Sequence, residues 1–340
     1  MFRIALISMF LTSTALADTW TVDDDGKADF DNIQDALDAV DTGDVIAIAA
    51  GTYNESDLYI EDADITITGE VNAKGEPLVT IDGGGDSGIL IAIGVAGATG
   101  TTVENIVFTG STGNALWIYH HNPTIRNCVF TGNVTSSLGG ALWSSDTEAI
   151  IENCRFVNNT ASNTGSIFFS KATKSVGPGP TIRDCVFENN TAYSTAVIQH
   201  CNPVIEQCTF ENNTANYGGG MYNHSSSPTL TDCTFENNTA NYGGGMFNSV
   251  SSNPTLTGTT VCGNTPEQII GDWTDNGGNT VADECECVGD INLDSYINVN
   301  DLLIIIGYWG NNTPQADLNF DGIVDVTDLL IVVGSWGECE

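Results

Sequence analysis

Along most of the chain, apolar and polar residues alternate in short runs that are interrupted too regularly for helices. One six-residue pattern keeps returning: VENIVF from Val103, IRNCVF from Ile125, IENCRF from Ile151, IRDCVF from Ile182, IEQCTF from Ile205, LTDCTF from Leu230 and a degenerate LTGTTV from Leu256. Successive copies start 22 to 31 residues apart. A period in that range, with short strands and Asn-rich turns, means a solenoid. No helical periodicity separates the strands, so the pattern predicts an all-β chain wound as a right-handed parallel β-helix, one coil per repeat.

Equivalent residues of successive coils then stack at about 4.8 Å, and each column acquires a physical role. Positions one, four and six point inward as aliphatic, Cys and Phe stacks, the last being Phe108, Phe130, Phe156, Phe187, Phe210 and Phe235. Position three holds Asn105, Asn127, Asn153, Asp184, Gln207, Asp232 and Gly258, mostly residues that tolerate the left-handed backbone of a sharp corner. A second Asn column follows three residues after each Phe, from Asn133 through Asn159, Asn190 and Asn213 to Asn238. Small residues then open another strand, as in GGALW at Gly139 and GGGMY at Gly218. Position two alternates in sign along Glu104, Arg126, Glu152, Arg183 and Glu206, which predicts cross-strand ion pairs.

After the small residues come Leu116, Leu142, Ile167, Val197, Met221 and Met246, read as inward. Each is followed by an outward residue: Trp117, Trp143, Phe168, Ile198, Tyr222 and Phe247. Flat rings at coil spacing suit the apolar faces of pyranose sugars. The alternative is that the stripe packs beneath loops or against itself.

Ahead of the repeats, Ile33, Ala36, Leu37 and Val40 lie at helical spacing before the strand VIAIAA. A helix there caps the open end of the coil, covering apolar core and unpaired strand edges. The extreme N-terminus has Arg3, an apolar run from Ile4 to Leu11 and the small-residue box Ala15-Leu16-Ala17. This reads as a secretory signal peptide over 1–17. No other stretch is apolar over enough residues to span a membrane. With 8 Lys plus Arg against 44 Asp plus Glu, a net charge of −36, a basic face for nucleic acid or an anionic membrane is excluded.

The segment from Trp20 to about Ala282 resembles the pectin-lyase-like right-handed β-helix superfamily, through its IQDALDAV and GDVIAIAAGTY start. Its FENN and GGGM repeats, at Phe210 and Gly218, are similar to those of polymorphic outer-membrane adhesins. The resemblance implies the fold. It does not choose among the lyases, glycosidases and non-catalytic surface proteins built on it.

From Asp290 the chain changes character. Two blocks 27 residues apart place oxygen-bearing side chains at loop positions 1, 3, 5, 9 and 12: Asp290, Asn292, Asp294, Asn298 and Asp301, then Asp317, Asn319, Asp321, Asp325 and Asp328. The carbonyls of Tyr296 and Ile323 fall at position 7. Hard Ca²⁺ takes six to eight oxygens, and this spacing supplies them twice. Gly322 meets the sharp turn at position 6 of the second loop, whereas Ser295 stands there in the first, so the first site is expected to be weaker. The blocks resemble a type I dockerin, with one helix after each loop. That resemblance implies calcium-dependent folding and a cohesin receptor, although LLIIIGYWG and LLIVVGSWG are more apolar and less basic than usual. The expected organisation is a signal peptide (1–17), a β-helix (18–282) and a calcium module (283–340).

Of ten cysteines, Cys128, Cys154, Cys185, Cys208 and Cys233 are periodic and expected as buried thiols. A bridge from Cys285 or Cys287 to Cys339 would clasp the calcium module. No catalytic constellation stands out. A lyase needs a base, commonly Arg or Lys, but Arg126 and Arg183 are assigned to the charge ladder, Arg155 reads as isolated, and Lys171 and Lys174 lie in a loop. A glycosidase needs paired carboxyls; Asp146 with Glu148, or Asp184 with Asp232, are the candidates, and the latter two read better as corners. His120, His121, His200 and His224 read as surface residues. Two functions follow: a secreted, glycan-binding or structural β-helix with an attachment module, or an extracellular polysaccharide hydrolase or lyase.

Overall fold

The computed structural model describes residues 17–60, 64–85, 89–91, 100–136, 139–171, 177–285, 287–292, 294, 296–319 and 321–338. The signal-peptide segment, Lys174, Ser295 and Cys339 lie outside the described residues, apart from Ala17 at that segment's end. Residues up to Val281 form one compact unit and those from Ala282 a second.

The first unit turns wherever the sequence supplies residues that accept a positive φ. Asn105, Asn127, Asn153, Asp184, Gln207 and Asp232 have φ between 49° and 62°, so the third column is a corner. A second corner uses Gly110, Gly132, Asn158, Asn189, Asn212 and Asn237, one residue before the second Asn column. The third uses His120, Asp146, His200, Ser225 and Ser251. Between corners the strands pair in parallel, coil upon coil, as a right-handed solenoid. Among the described residues the first sheet has eleven strands, from Thr19–Val22 to Thr274–Asp275. The second runs from Gly51–Asn54 to Thr280–Ala282 and the third from Leu58–Tyr59 to Ile269–Ile270, ten strands each.

The inward columns behave as expected. Phe108, Phe130, Phe156, Phe187, Phe210 and Phe235 are fully buried and stack face to face with centroids 4.4 to 5.0 Å apart. The five periodic cysteines are buried free thiols. Burial pushes Cys154 and Cys185 well above the ordinary thiol value and Cys233 up to about 12, which leaves them protonated and unreactive. Cys201 is also a buried free thiol, while Cys262, Cys285 and Cys287 are disulfide-bonded.

Helix α1 (Ile33–Leu37) packs Ile33 and Ala36 on the first coil. Asn32 caps it, accepting from Asp35 N, and the Glu55 carboxylate takes the free N–H groups of Ile33 and Gln34. Val40 follows the helix rather than belonging to it, and packs on the same core.

Three expectations need correction. Arg155 is not isolated: its guanidinium reaches Glu188 at 3.0 Å, while Arg126 pairs with Glu104 and Arg183 with Glu152 as the alternation predicted. His121 is buried, with an imidazole nitrogen 3.0 Å from Thr101 Oγ1. The outward stripe contains Val197 rather than Ile198, because Phe168 pairs with Val197 and Val197 with Tyr222. Ile198 is fully buried, one residue along, and a single-residue slip exchanges the two faces of a strand.

In the second unit, helices α2 (Val299–Gly307) and α3 (Val326–Gly334) each follow one acidic loop. They enclose a small core of Ile291, Ile297, Ile305, Ala316, Val324 and Val332.

Candidate functional sites: two acidic loops and an aromatic stripe

The two loops of the second unit match bond for bond. Asp301 Oδ1 accepts from Ile291 N (2.9 Å) and Asn292 N (3.2 Å), and its Oδ2 from Asn298 N. Asp328 repeats this with Leu318 N (2.7 Å), Asn319 N (3.2 Å) and Asp325 N. Position 5 donates its N–H to positions 1 and 3 in both: Asp294 to Asp290 and Asn292, Asp321 to Asp317 and Asn319. Each loop is thereby wrapped around the carboxylates of positions 1 and 12. In the second loop Gly322 donates its N–H to Asp317 Oδ2 at 2.9 Å.

Position 9 has a second duty. Asn298 and Asp325 are the N-caps of α2 and α3, each in a capping box with position 12. Bonds from the Thr327 hydroxyl and backbone hold the Asp325 carboxyl below its ordinary value. The carbonyl of Tyr296 accepts from Asn298 Nδ2 at 3.1 Å.

The donor set fits a hard cation and nothing softer. Asp290, Asp301, Asp317 and Asp328 are buried, and residues 282–340 contain no Lys, Arg or His to neutralise them. Buried carboxylates without a counter-charge are costly, so the cation must come from solution. Calcium would be held in the first loop by Asp290, Asn292, Asp294, Tyr296 O and Asp301, and in the second by Asp317, Asn319, Asp321, Ile323 O and Asp328, with Asn298 and Asp325 at position 9. It would supply charge neutralisation and loop organisation, and no chemistry of its own.

In the first unit the stripe on the third sheet runs in register as Trp117, Trp143, Phe168, Val197, Tyr222 and Phe247. Trp117 and Trp143 stack at 4.8 Å with planes 2° apart, and the indole N–H of each is buried without a hydrogen-bond partner. Phe168 and Val197 are buried; the other four are half-buried. Tyr193, within the strand Thr191–Gln199, and Tyr217 and Tyr242, ahead of the strands Met221–His224 and Met246–Ser249, form a second aromatic column. Its signal was the repeated NYGGGM at Asn216 and Asn241. The glycines are required there: a Cβ on Gly219 would lie 2.3 Å from the Gly244 carbonyl oxygen.

The carboxyls that the sequence pairs sit at corners or beside a lysine. Asp146, Asp184 and Asp232 occupy left-handed corners, and Glu148 is exposed with Lys171 at 4.0 Å. A different set is brought together: Glu188, Glu211 and Glu236 lie in register on consecutive strands of the second sheet. The repeated F-E pair at Phe187, Phe210 and Phe235 was the available signal. Burial, and then the flanking carboxylates of Glu188 and Glu236, raise the Glu211 carboxyl above its ordinary value. Because the folded value exceeds the unfolded one, its contribution to stability is complete below about pH 4.3 and is lost as pH rises through the folded value. Glu211→Gln is therefore expected to stabilise the coil at pH 7 by a few tenths of a kcal/mol. Urea midpoints that differ at pH 7 and coincide near pH 4 are the expected result; equal midpoints at both pH values would contradict it.

A family model described as the right-handed β-helix region matches residues 87–261 and 171–290. One for the dockerin type I domain matches residues 288–334. Type I dockerins bind calcium, as the loops require, and dockerins bind cohesins. No curated protein matches the chain. Among solved structures, the chain is similar to a pectin methylesterase mutant in complex with a hexasaccharide, at 11% identity, covering 76% of this chain and 92% of that one with a TM-score of 0.46. The pectin methylesterase of Aspergillus niger is similar at 14% identity, 80% and 92% coverage and a TM-score of 0.46. An alginate lyase from Paenibacillus is similar at 12% identity, 78% and 97% coverage and a TM-score of 0.36. None of these likenesses bears on activity. More than half of the chain lies within the first family model, and its stacked corners, Phe columns and parallel sheets are those of a coil: the chain belongs to the right-handed β-helix family, and its residues 288–334 match the type I dockerin domain.

Proposed function

We propose that the protein is a secreted or cell-surface β-helix that binds glycans without cleaving them and is attached through its dockerin module, loaded with calcium at two sites. The observation carrying the glycan reading is the in-register stripe from Trp117 to Phe247. Its half-buried rings form two pairs, Trp117 with Trp143 at 4.8 Å and Tyr222 with Phe247 at 5.6 Å, flat groups of the kind that meet the apolar faces of sugars. The attachment reading is supported by a duplicated apolar face. Val299, Leu303, Ile306 and Trp309 are exposed, and so are their counterparts Val326, Leu330, Val333 and Trp336. Such a surface fits a cohesin-like receptor. The signal-peptide pattern of residues 1–17 supports the export reading, and no helix among the described residues is long and apolar enough to cross a membrane.

The test is incubation of the full chain with neutral and acidic polysaccharides, with and without calcium, following both co-sedimentation and release of sugar ends. Binding without release, lost in Trp117→Ala plus Trp143→Ala, is expected. Release of reducing or unsaturated ends would refute the non-catalytic reading. One observation favours hydrolysis as the second reading: Glu211, with its raised carboxyl, lies directly between two other glutamates. On that reading release would occur and would vanish in Glu211→Gln.

A further inference from the structure

Behind the exposed ring of Tyr193 lies a groove of about 210 Å³, floored by Phe168, Val197 and Tyr222 of the stripe. Tyr193 is also the first member of the tyrosine column, with centroids 5.4 Å to Tyr217 and 5.3 Å from Tyr217 to Tyr242. Tyr217 in turn meets Phe247 at 5.4 Å and Tyr222 at 6.4 Å. Stripe and column thus merge into one aromatic surface at this end of the coil and nowhere else among the described residues.

The polar groups of the groove are all uncharged or imidazole. Asn163, Gln199 and Ser194 line it, and Ser194 is fully buried with a hydroxyl that has no hydrogen-bond partner. His224 closes one side, its Nδ1 held 2.9 Å from Ser249 Oγ and 3.3 Å from the Tyr222 hydroxyl, which fixes the tyrosine ring. Among the described residues no Asp, Glu, Lys or Arg lines the groove. On a chain of net charge −36, an anionic sugar would be repelled by the general field and met by no cation. A neutral ring needs only an aromatic face and a few well-placed hydrogen bonds.

We infer that this groove is a saccharide subsite that takes one uncharged pyranose of a neutral glycan, the rest of the stripe contacting its extension; this rests on the glycan-binding reading above. The full chain in calcium is titrated calorimetrically with neutral trisaccharides of glucose, mannose and xylose and with trigalacturonate. At least one neutral trisaccharide is expected to bind, and trigalacturonate is not. Tyr193→Ala and Gln199→Ala each weaken that binding tenfold or more, whereas Trp117→Ala plus Trp143→Ala weakens polymer binding more than trisaccharide binding. Tyr193 is exposed, so its loss leaves the thermal midpoint unchanged and the readout is of binding. Trisaccharide binding that survives both groove substitutions, or tighter binding of trigalacturonate, overturns the subsite and leaves the stripe reading standing. Binding of polymers alone does the same, and absence of any binding overturns both.

Discussion

Addition of EGTA to the intact chain is expected to unfold residues 282–340 while the coils remain folded. The second unit buries only a handful of aliphatic side chains around Ile305 and Val332, far too little for a domain of its size to be stable unaided. Against that small core stand the buried carboxylates of Asp290, Asp301, Asp317 and Asp328, with no basic residue in the unit. Without metal their repulsion and desolvation oppose folding; with metal both become coordination energy. At free calcium a hundredfold above the dissociation constant, each occupied site contributes about 2.7 kcal/mol by mass action. Hydrogen exchange is the direct measurement. Amides of Val299–Gly307 and Val326–Gly334 are expected to lose protection in EGTA and regain it when calcium is restored, with those of the Phe-bearing strands unchanged. Persistent protection of both helices in chelator would refute the metal-organised module. Asp317→Ala is expected to raise the calcium requirement more than Asp290→Ala, since the second loop carries glycine, with φ 92°, at the sharp turn of position 6 and is expected to be the tighter site.

The legible parts of this chain were those in which one residue type answers one local demand. A left-handed corner admits Asn, Asp, Gly and little else, so the third column announced itself. The calcium loops were equally plain, because a hard cation fixes the spacing of its oxygens along the chain. What stayed hidden depends on register across coils. Val197 rather than Ile198 faces outward because the place of each residue is set by pairing across coils, and the pairing of Thr160–Ser170 with Thr191–Gln199 loses two residues between Ala161 and Gly165. Counting back from the matching HHNP at His120 and HCNP at His200 would have revealed it. The burial of His121 and the pairing of Arg155 depend on register as well: the partner of each, Thr101 or Glu188, lies in a neighbouring coil. The glutamate ladder escaped because its members look unremarkable one repeat at a time.

Asn190→Ala is expected to cost about 3 to 5 kcal/mol, as much as removing a core phenylalanine. The second Asn column is a ladder of buried amides running through Asn133, Asn159, Asn190, Asn213, Asn238 and Asn264. Asn190 donates from Nδ2 to Phe156 O at 2.8 Å and to Asn213 Oδ1 at 3.0 Å. Its Oδ1 accepts from the backbone N–H of Asn159 at 3.0 Å and from Asn159 Nδ2 at 3.1 Å. Alanine removes four hydrogen bonds where water has no access: Asn159 N and Phe156 O lose these partners, while Asn213 Oδ1 keeps the Asn190 N–H and Asn159 Nδ2 keeps Phe130 O, and each unsatisfied buried group costs about 1 to 3 kcal/mol. Aspartate is not a substitute. It offers acceptors where Phe156 O and Asn213 Oδ1 need donors, so Asn190→Asp is at least as destabilising at pH 7 and recovers in acid, as its carboxyl regains a proton. The neighbouring Asn189 provides the control. It has φ 53° and lies at the exposed corner, so Asn189→Ala costs only about 1 kcal/mol of backbone strain. Stability in a solenoid is a sum of nearest-neighbour terms. Exchange at the amides of Phe156, Phe187 and Phe210 should accelerate most in Asn190→Ala, with the effect fading over the following coils. Uniform exchange across all coils, or equal losses at positions 189 and 190, would show that the amide ladder is not what locks one winding to the next.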